Sequence, residues 1–275
     1  MNAHFKIIIS LLFILCSWGI NAQETNYTTE SNISYSSVIE NPDQYQQDRC
    51  KLDLYYPTNR KGFATIVWFH GGGLTQGEKY IPAELKNSGY AIAAVNYRLT
   101  PKVNVHDCLM DAAASVAWVV KNIERFGGSA EKIVVAGHSA GAYLTMMIGL
   151  DKRWMKPYAI DPDTFTALFP FSGNALSHMA YREERGIRPN QPYADDYAPM
   201  YHARAEAPPV VFFTGDRNME LHGRYEEVAF FWRIMKENGH KASFIYEMQG
   251  YDHGGMPAPA FPIMLRHLKQ LLDGK

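Results

Sequence analysis

Lys132-Ile133-Val134-Val135-Ala136-Gly137-His138-Ser139-Ala140-Gly141-Ala142-Tyr143-Leu144 is the stretch from which the rest of the chain is read. Its β-branched, apolar first half has the pattern of a strand covered on both faces, and the residues after Ser139 are small and helix-compatible. The chain must therefore turn from strand to helix at the serine. In a turn this tight, side chains at Gly137 and Gly141 would collide with the neighbouring strand and helix, which accounts for the glycine at each end of Gly-x-Ser-x-Gly. Ser139 is left alone at the tip, with a helix N-terminus behind it. That terminus brings unpaired N–H groups and partial positive charge, and the amide of Ala140 is placed to face a developing oxyanion.

Working outward, the same strand-then-helix alternation recurs. Phe63 to Phe69 is a near-continuous apolar run, expected as a central strand, and Lys51 to Tyr56 alternates as an edge strand stopped by Pro57. Tyr90 to Tyr97, Phe165 to Phe171, Pro209 to Thr214 and Ser243 to Glu247 are expected strands. Val105 to Phe126, Gly223 to Asn238 and Pro259 to Leu272 carry helical spacing. Strands alternating with helices predict right-handed crossovers, hence an α/β fold with a mostly parallel sheet of about eight strands and helices on both faces. Between Ser172 and Pro208 the pattern dissolves into a polar, aromatic excursion too long for a plain connection, expected as a short cap that walls a pocket.

Composition bounds the function. The chain has 275 residues, formal net charge −1 and no block of basic residues, which argues against a nucleic-acid partner. Residues 1–22 combine Lys6, an apolar stretch from Ile7 to Ile20 and the small residue Ala22, the make-up of a cleaved secretory signal peptide; a retained anchor is the alternative. With cleavage the protein is expected to be secreted or periplasmic, with no stable membrane insertion. Residues 23–48 are a polar lead-in or a loose first strand, and residues 49–275 form one domain, with 172–208 as its cap. Cys50 and Cys108 remain after cleavage, either as a pair or as two separate buried thiols. No Cys/His cluster has metal-binding spacing, so no structural zinc or other metal is expected.

A serine hydroxyl is a poor nucleophile at neutral pH and needs a base, itself oriented by an acid. His253 lies in the loop after the last expected strand, beside Gly254 and Gly255, and is the expected base. Asp216 directly follows the strand that ends at Thr214 and is the expected acid. Glu220, four residues further on in the same loop, is the alternative. His70-Gly71-Gly72-Gly73 follows a core strand, and consecutive glycines let backbone N–H groups approach a ligand without interference from Cβ atoms. The amides of Gly72, Gly73 and Ala140 are the expected oxyanion hole; His70 is expected to hold that loop.

Taken together, His70-Gly71-Gly72-Gly73, Gly137-His138-Ser139-Ala140-Gly141, Gly215-Asp216 and Asp252-His253-Gly254 resemble the α/β-hydrolase carboxylesterases of the His-Gly-Gly-Gly branch. These include hormone-sensitive-lipase-like esterases, bacterial feruloyl and acetyl-xylan esterases and kynurenine formamidase-like enzymes. The resemblance implies a serine triad and cofactor-free hydrolysis of small-molecule or polysaccharide-linked carboxylic esters. It also carries a departure: many relatives place the acid as Gly-x-x-Asp, and the third residue after Gly215 is Asn218. The competing expectations are an amidase or peptidase of the same fold, and an inactive hydrolase fold used for binding.

Overall fold

The structure, a computed structural model, describes residues 24–221 and 223–274; the expected signal peptide lies outside the described residues. In chain order the elements are β1 (Tyr27–Ser34), α1 (Gln44–Arg49), β2 (Lys51–Pro57), β3 (Phe63–Phe69), β4 (Ala91–Val95), α2 (Val105–Asn122), β5 (Gly128–His138) and α3 (Ala140–Leu150). They continue with β6 (Ala167–Phe171), α4 (Met179–Glu184), β7 (Val210–Gly215), α5 (Arg224–Glu237), β8 (Ser243–Met248) and α6 (Pro257–Asp273). The eight strands make one sheet in the order β1-β2-β4-β3-β5-β6-β7-β8. Only the β1–β2 and β2–β4 pairings are antiparallel, so β2 alone runs against the rest.

This is the α/β sheet the alternation predicts, and its apolar strands are covered on both sides. On one face Val67, Phe69, Val135 and Phe212 pack with Leu109 and Val116 of α2, Leu144 and Ile148 of α3, and Phe231 of α5. On the other, Ile66, Trp68, Val134, Phe169 and Phe213 pack with Phe261, Met264 and Leu268 of α6. Burial of side chains this large stabilises by about 1.5–3 kcal/mol each, which fixes the register of the central strands and with it the level at which they end.

One local expectation is corrected. Lys51 to Tyr56 is not the sheet edge, because β1, within the polar lead-in, pairs outside it from Tyr27↔Pro57 to Ser34↔Lys51. Most of β1 is exposed, so its sequence carries no apolar alternation; backbone pairing holds it in place. Between β3 and β4 the chain makes a single 3-10 turn, Ala83–Leu85. Cys50 and Cys108 are both buried and unpaired, and burial raises both thiols far above the ordinary cysteine range, so they are inert packing groups.

Candidate active site

β5, a central strand, ends level with β3 and β6, and its last residue leads straight into Ser139. Ser139 sits at φ 56° and ψ −117°, a left-handed backbone that a residue with a Cβ adopts only under constraint. The constraint is close packing: a Cβ at Gly141 would lie 2.1 Å from the carbonyl oxygen of Phe69, and one at Gly137 2.5 Å from that of Gly141. Both glycines of the motif are thus required by contact. The amide of Ser139 is held by the carbonyl of Phe171 at 2.8 Å, tying the elbow to the end of β6.

The structure brings Ser139 and His253 together: Ser139 Oγ lies 2.9 Å from His253 Nε2. His253 rides on the loop between β8 and α6. Its other nitrogen, Nδ1, donates to Glu220 Oε2 at 2.9 Å, which leaves Nε2 as acceptor for the serine hydroxyl. The expectation that favoured Asp216 is therefore corrected to its alternative. The amide of Glu220 bonds to the carbonyl of Asp216 at 2.8 Å, closing one helical turn that swings Glu220 back beneath the end of β7. There Oε1 accepts from the amide of Gly215 at 2.9 Å and from Ser172 Oγ at 2.5 Å, and Oε2 also accepts from the amide of Leu221. The side chain is 1% exposed. Burial alone would raise this carboxyl, but the donors from His253, Ser172 and Gly215 outweigh it and hold the pKa down at about 2. Asp216 instead spends both oxygens on backbone amides, Oδ1 on Asn218 and Oδ2 on Gly250, each at 2.9 Å. It pins the loop that carries His253 without touching the imidazole. Asn218, the departure from the family pattern, is exposed in this same turn.

Two side chains that the sequence did not single out also hold this arrangement. Ser172, at φ 52° and fully buried at the end of β6, sets its hydroxyl 3.0 Å from His253 Nδ1 as well as against Glu220. The available signal was its place directly after an apolar strand, level with the elbow. His138 donates from Nε2 to the carbonyl of His253 at 2.8 Å, and the two rings lie 4.7 Å apart. Burial, and then the neighbouring His253, push the pKa of His138 down to about 4, so it acts as a neutral donor.

Opposite the imidazole, Gly72 and Gly73 line the cleft with Ser139. Gly72 has φ 108°, and a Cβ there would lie 2.0 Å from the carbonyl oxygen of Gln76, so only glycine fits. The loop is closed by the amides of Thr75 and Gln76, both bonded to the Gly72 carbonyl at 3.0 Å. Among the described residues the amides of Gly72, Gly73 and Ala140 meet no protein acceptor, the condition in which buried donors await a ligand. His70 anchors the loop from beneath: its ring stacks on Tyr97 at 4.5 Å, and Nδ1 donates to the carbonyl of Gly71 at 2.6 Å. Burial lowers its pKa to about 4.

The cleft over Ser139 encloses about 340 Å³; its wall includes His178 and Met179 at the start of α4, within the 172–208 excursion, and Leu221 and Arg224. A larger hollow of about 810 Å³, lined by Arg98, Asp107, Glu183 and Glu184, adjoins it at Thr75 and contains neither Ser139 nor His253.

Sheet order and the strand-to-helix elbow together give the chain the α/β-hydrolase fold. The family model described as BD-FAE matches residues 52–167, from β2 through the elbow to the start of β6. A probable isoprenylcysteine alpha-carbonyl methylesterase of Oryza sativa subsp. japonica is 27% identical over 231 residues, covering 74% of this chain and 54% of that protein. A probable carboxylic ester hydrolase of Mycobacterium tuberculosis is 28% identical over 182 residues, covering 58% of this chain and 40% of that protein. The chain thus spans about half, or less, of the length of these relatives. Among solved structures, a truncated form of a carbohydrate esterase from gut microbiota superposes with TM-score 0.73 at 17% identity, covering 91% of this chain and 98% of that one. Thermogutta terrifontis esterase 2 phosphoramylated by tabun gives TM-score 0.69 at 22% identity, covering 88% and 94%. At these identities the superpositions establish the fold.

Proposed function

We propose that the protein is a serine carboxylesterase acting on short-chain or carbohydrate-linked esters through an acyl-enzyme on Ser139. The observation that carries this reading is the 2.9 Å approach of Ser139 Oγ to His253 Nε2 in a cleft walled by unpartnered amides. Ser139 Oγ attacks the ester carbonyl while His253 Nε2 takes its proton, and the amides of Gly72, Gly73 and Ala140 stabilise the oxyanion that forms. Glu220 holds the imidazole in the productive tautomer and stabilises it once charged. His253 then gives the proton to the departing alcohol, and water, activated by the same imidazole, releases the acid. All the groups this needs are side chains and amides of the chain itself.

Ester chemistry is supported by the names of the relatives and structural neighbours, which are esterases and carboxylic ester hydrolases. Polysaccharide-linked substrates are supported by the neighbour named a carbohydrate esterase and by the room beyond Thr75, where a bulky alcohol part can lie outside the small cleft. Export, to the periplasm or outside the cell, rests on the composition of residues 1–22.

Labelling with a fluorophosphonate tests the reading. Wild type is expected to be modified at Ser139, and a folded protein that resists labelling would mark a binding module. Acetyl, butyryl, octanoyl and feruloyl esters, free and on a xylan backbone, then rank the substrates; turnover of amides but of no ester would move the protein to the amidases.

A further inference from the structure

The wall of the cleft holds a charge that the reaction above does not use. Arg224, the first residue of α5, is 3% exposed and lines the cavity over Ser139. A guanidinium has five N–H donors; one of Arg224 goes to the carbonyl of Ser172 and one to Asn174 Oδ1 at 3.1 Å. No carboxylate lies within 4.0 Å of it among the described residues. The two carboxylates nearest in effect are Glu220 and Glu227, and both are committed elsewhere. Glu220 serves His253, Ser172, Gly215 and Leu221, and Glu227 Oε2 accepts from the amides of Ala175 and Leu176 at 3.1 and 3.3 Å.

His178 stands beside it in the same wall, 2% exposed. Its Nδ1 accepts from the amide of Ala180 at 3.2 Å, so the proton is on Nε2, for which the described residues supply no acceptor. A second guanidinium, Arg182 on α4, is also 3% exposed, with Nη2 buried and unpartnered. Burial first, then Arg224 and Arg182, push the pKa of His178 down to about 3, the response of a neutral ring in a positive surrounding. A buried charge left unpaired is costly, and such a group is retained where a ligand completes it.

Resting on the esterase reading, we propose that Arg224 determines specificity: the cleft takes esters that bear a carboxylate on the acyl or alcohol part, received by the Arg224 guanidinium with help from the His178 Nε2–H. A carboxylate fits because it accepts the parallel hydrogen bonds that a guanidinium offers, whereas an alkyl chain there leaves both donors dry.

The experiment compares kcat/KM for two pairs of esters matched in size. Para-nitrophenyl hemiglutarate against para-nitrophenyl pentanoate puts the carboxylate on the acyl side, and 4-acetoxyphenylacetate against 4-ethylphenyl acetate puts it on the alcohol side. In at least one pair the acidic ester is expected to be favoured about tenfold or more, the size of a charge-assisted hydrogen bond. Arg224→Gln should erase that ratio whatever it does to absolute rates, and Arg224→Lys, which keeps the charge, should restore part of it. Turnover of the neutral esters with no acidic preference in either pair overturns the proposal and leaves the esterase reading standing, and this comparison needs wild type alone. A preference that survives Arg224→Gln also overturns it, assigning Arg224 to holding Ser172 and Asn174. Absence of both Ser139 labelling and turnover of all four esters defeats the esterase reading itself, and this inference with it.

Discussion

The two ends of the hydrogen-bonded chain from Ser139 to Glu220 are fixed by different means. At the elbow, position is enforced by local backbone geometry: Gly137 and Gly141 admit no Cβ, Ser139 takes φ 56°, the strand before it is buried from Ile133 to Gly137, and the helix after it is buried throughout. At the acid, position is enforced from a distance. Glu220 reaches His253 only because a turn closes on Asp216, because Ser172 and Gly215 hold Oε1, and because Asp216 ties its own loop to Gly250. A site of the first kind can be read from five residues, whereas one of the second kind depends on three loops meeting.

The sharpest test of the contrast lies at the elbow. Ser139→Ala is expected to lower kcat on the order of 10⁶-fold and to abolish fluorophosphonate labelling, with unfolding by circular dichroism little changed. A variant retaining more than a hundredth of wild-type turnover would mean that another group attacks the ester.

Next in size are the two carboxylates of the acid loop. Glu220→Gln should cost about 10⁴ in kcat, because the amide leaves the imidazole without the anion that orients it and stabilises its charged form. Asp216→Asn keeps an acceptor for one of its two backbone donors and does not touch His253, so turnover should stay within about tenfold of wild type while the midpoint of thermal unfolding falls slightly. The reverse ranking, read from steady-state kinetics of the two variants, would restore Asp216 as the acid and show that the loop rearranges in solution.

That pair also shows where sequence stops informing. The elbow and the glycine loop were legible because each sits at the end of an apolar strand and is flagged by glycines that close backbone contacts demand, and His253 because it is the histidine in the loop after the last strand. Asp216 and Glu220 were both in view, but what separates them is the closure of one turn and the extra methylene of glutamate, which lets a carboxylate displaced from the strand end reach back to it. Neither leaves a mark in residue order. β1 was obscure for a related reason: YTTESNIS has no buried face to impose a pattern, and its partner β2 is read as an edge until something pairs with it.

Ser172 sharpens the comparison at smaller scale. Among the described residues its hydroxyl is the one side-chain donor to Glu220 besides His253. Ser172→Ala should lower kcat about tenfold, within the range for losing one hydrogen bond to a charged group, with little change in KM. Ser172→Gly relieves the φ of 52° yet lacks the hydroxyl, so it should lose as much activity as alanine while being the more stable of the two. Equal activity in all three proteins would place the support of Glu220 in the amides of Gly215 and Leu221.

The smallest effect at neutral pH becomes the largest in acid, and it reaches both regions. His70 and His138 flank the elbow with pKa values lowered to about 4, and His178 in the cleft wall to about 3, each chiefly through burial. An unfolded histidine titrates near 6.5, so between that pH and about 4 the unfolded chain binds more protons than the folded one. Stability from these groups is therefore complete above pH 6.5 and is lost progressively as pH falls through that window. Glu220, depressed to about 2 from an ordinary value near 4.5, adds a further loss only between those two values. The midpoint of thermal unfolding should accordingly begin to drop below pH 6.5, well before Glu220 titrates. His138→Gln, which retains an N–H for the carbonyl of His253, should flatten the drop between pH 6.5 and 4. A wild-type midpoint that stays level down to pH 5 would mean that these rings open to water and are protonated without cost, and the neutral-donor role of His138 would fall with it.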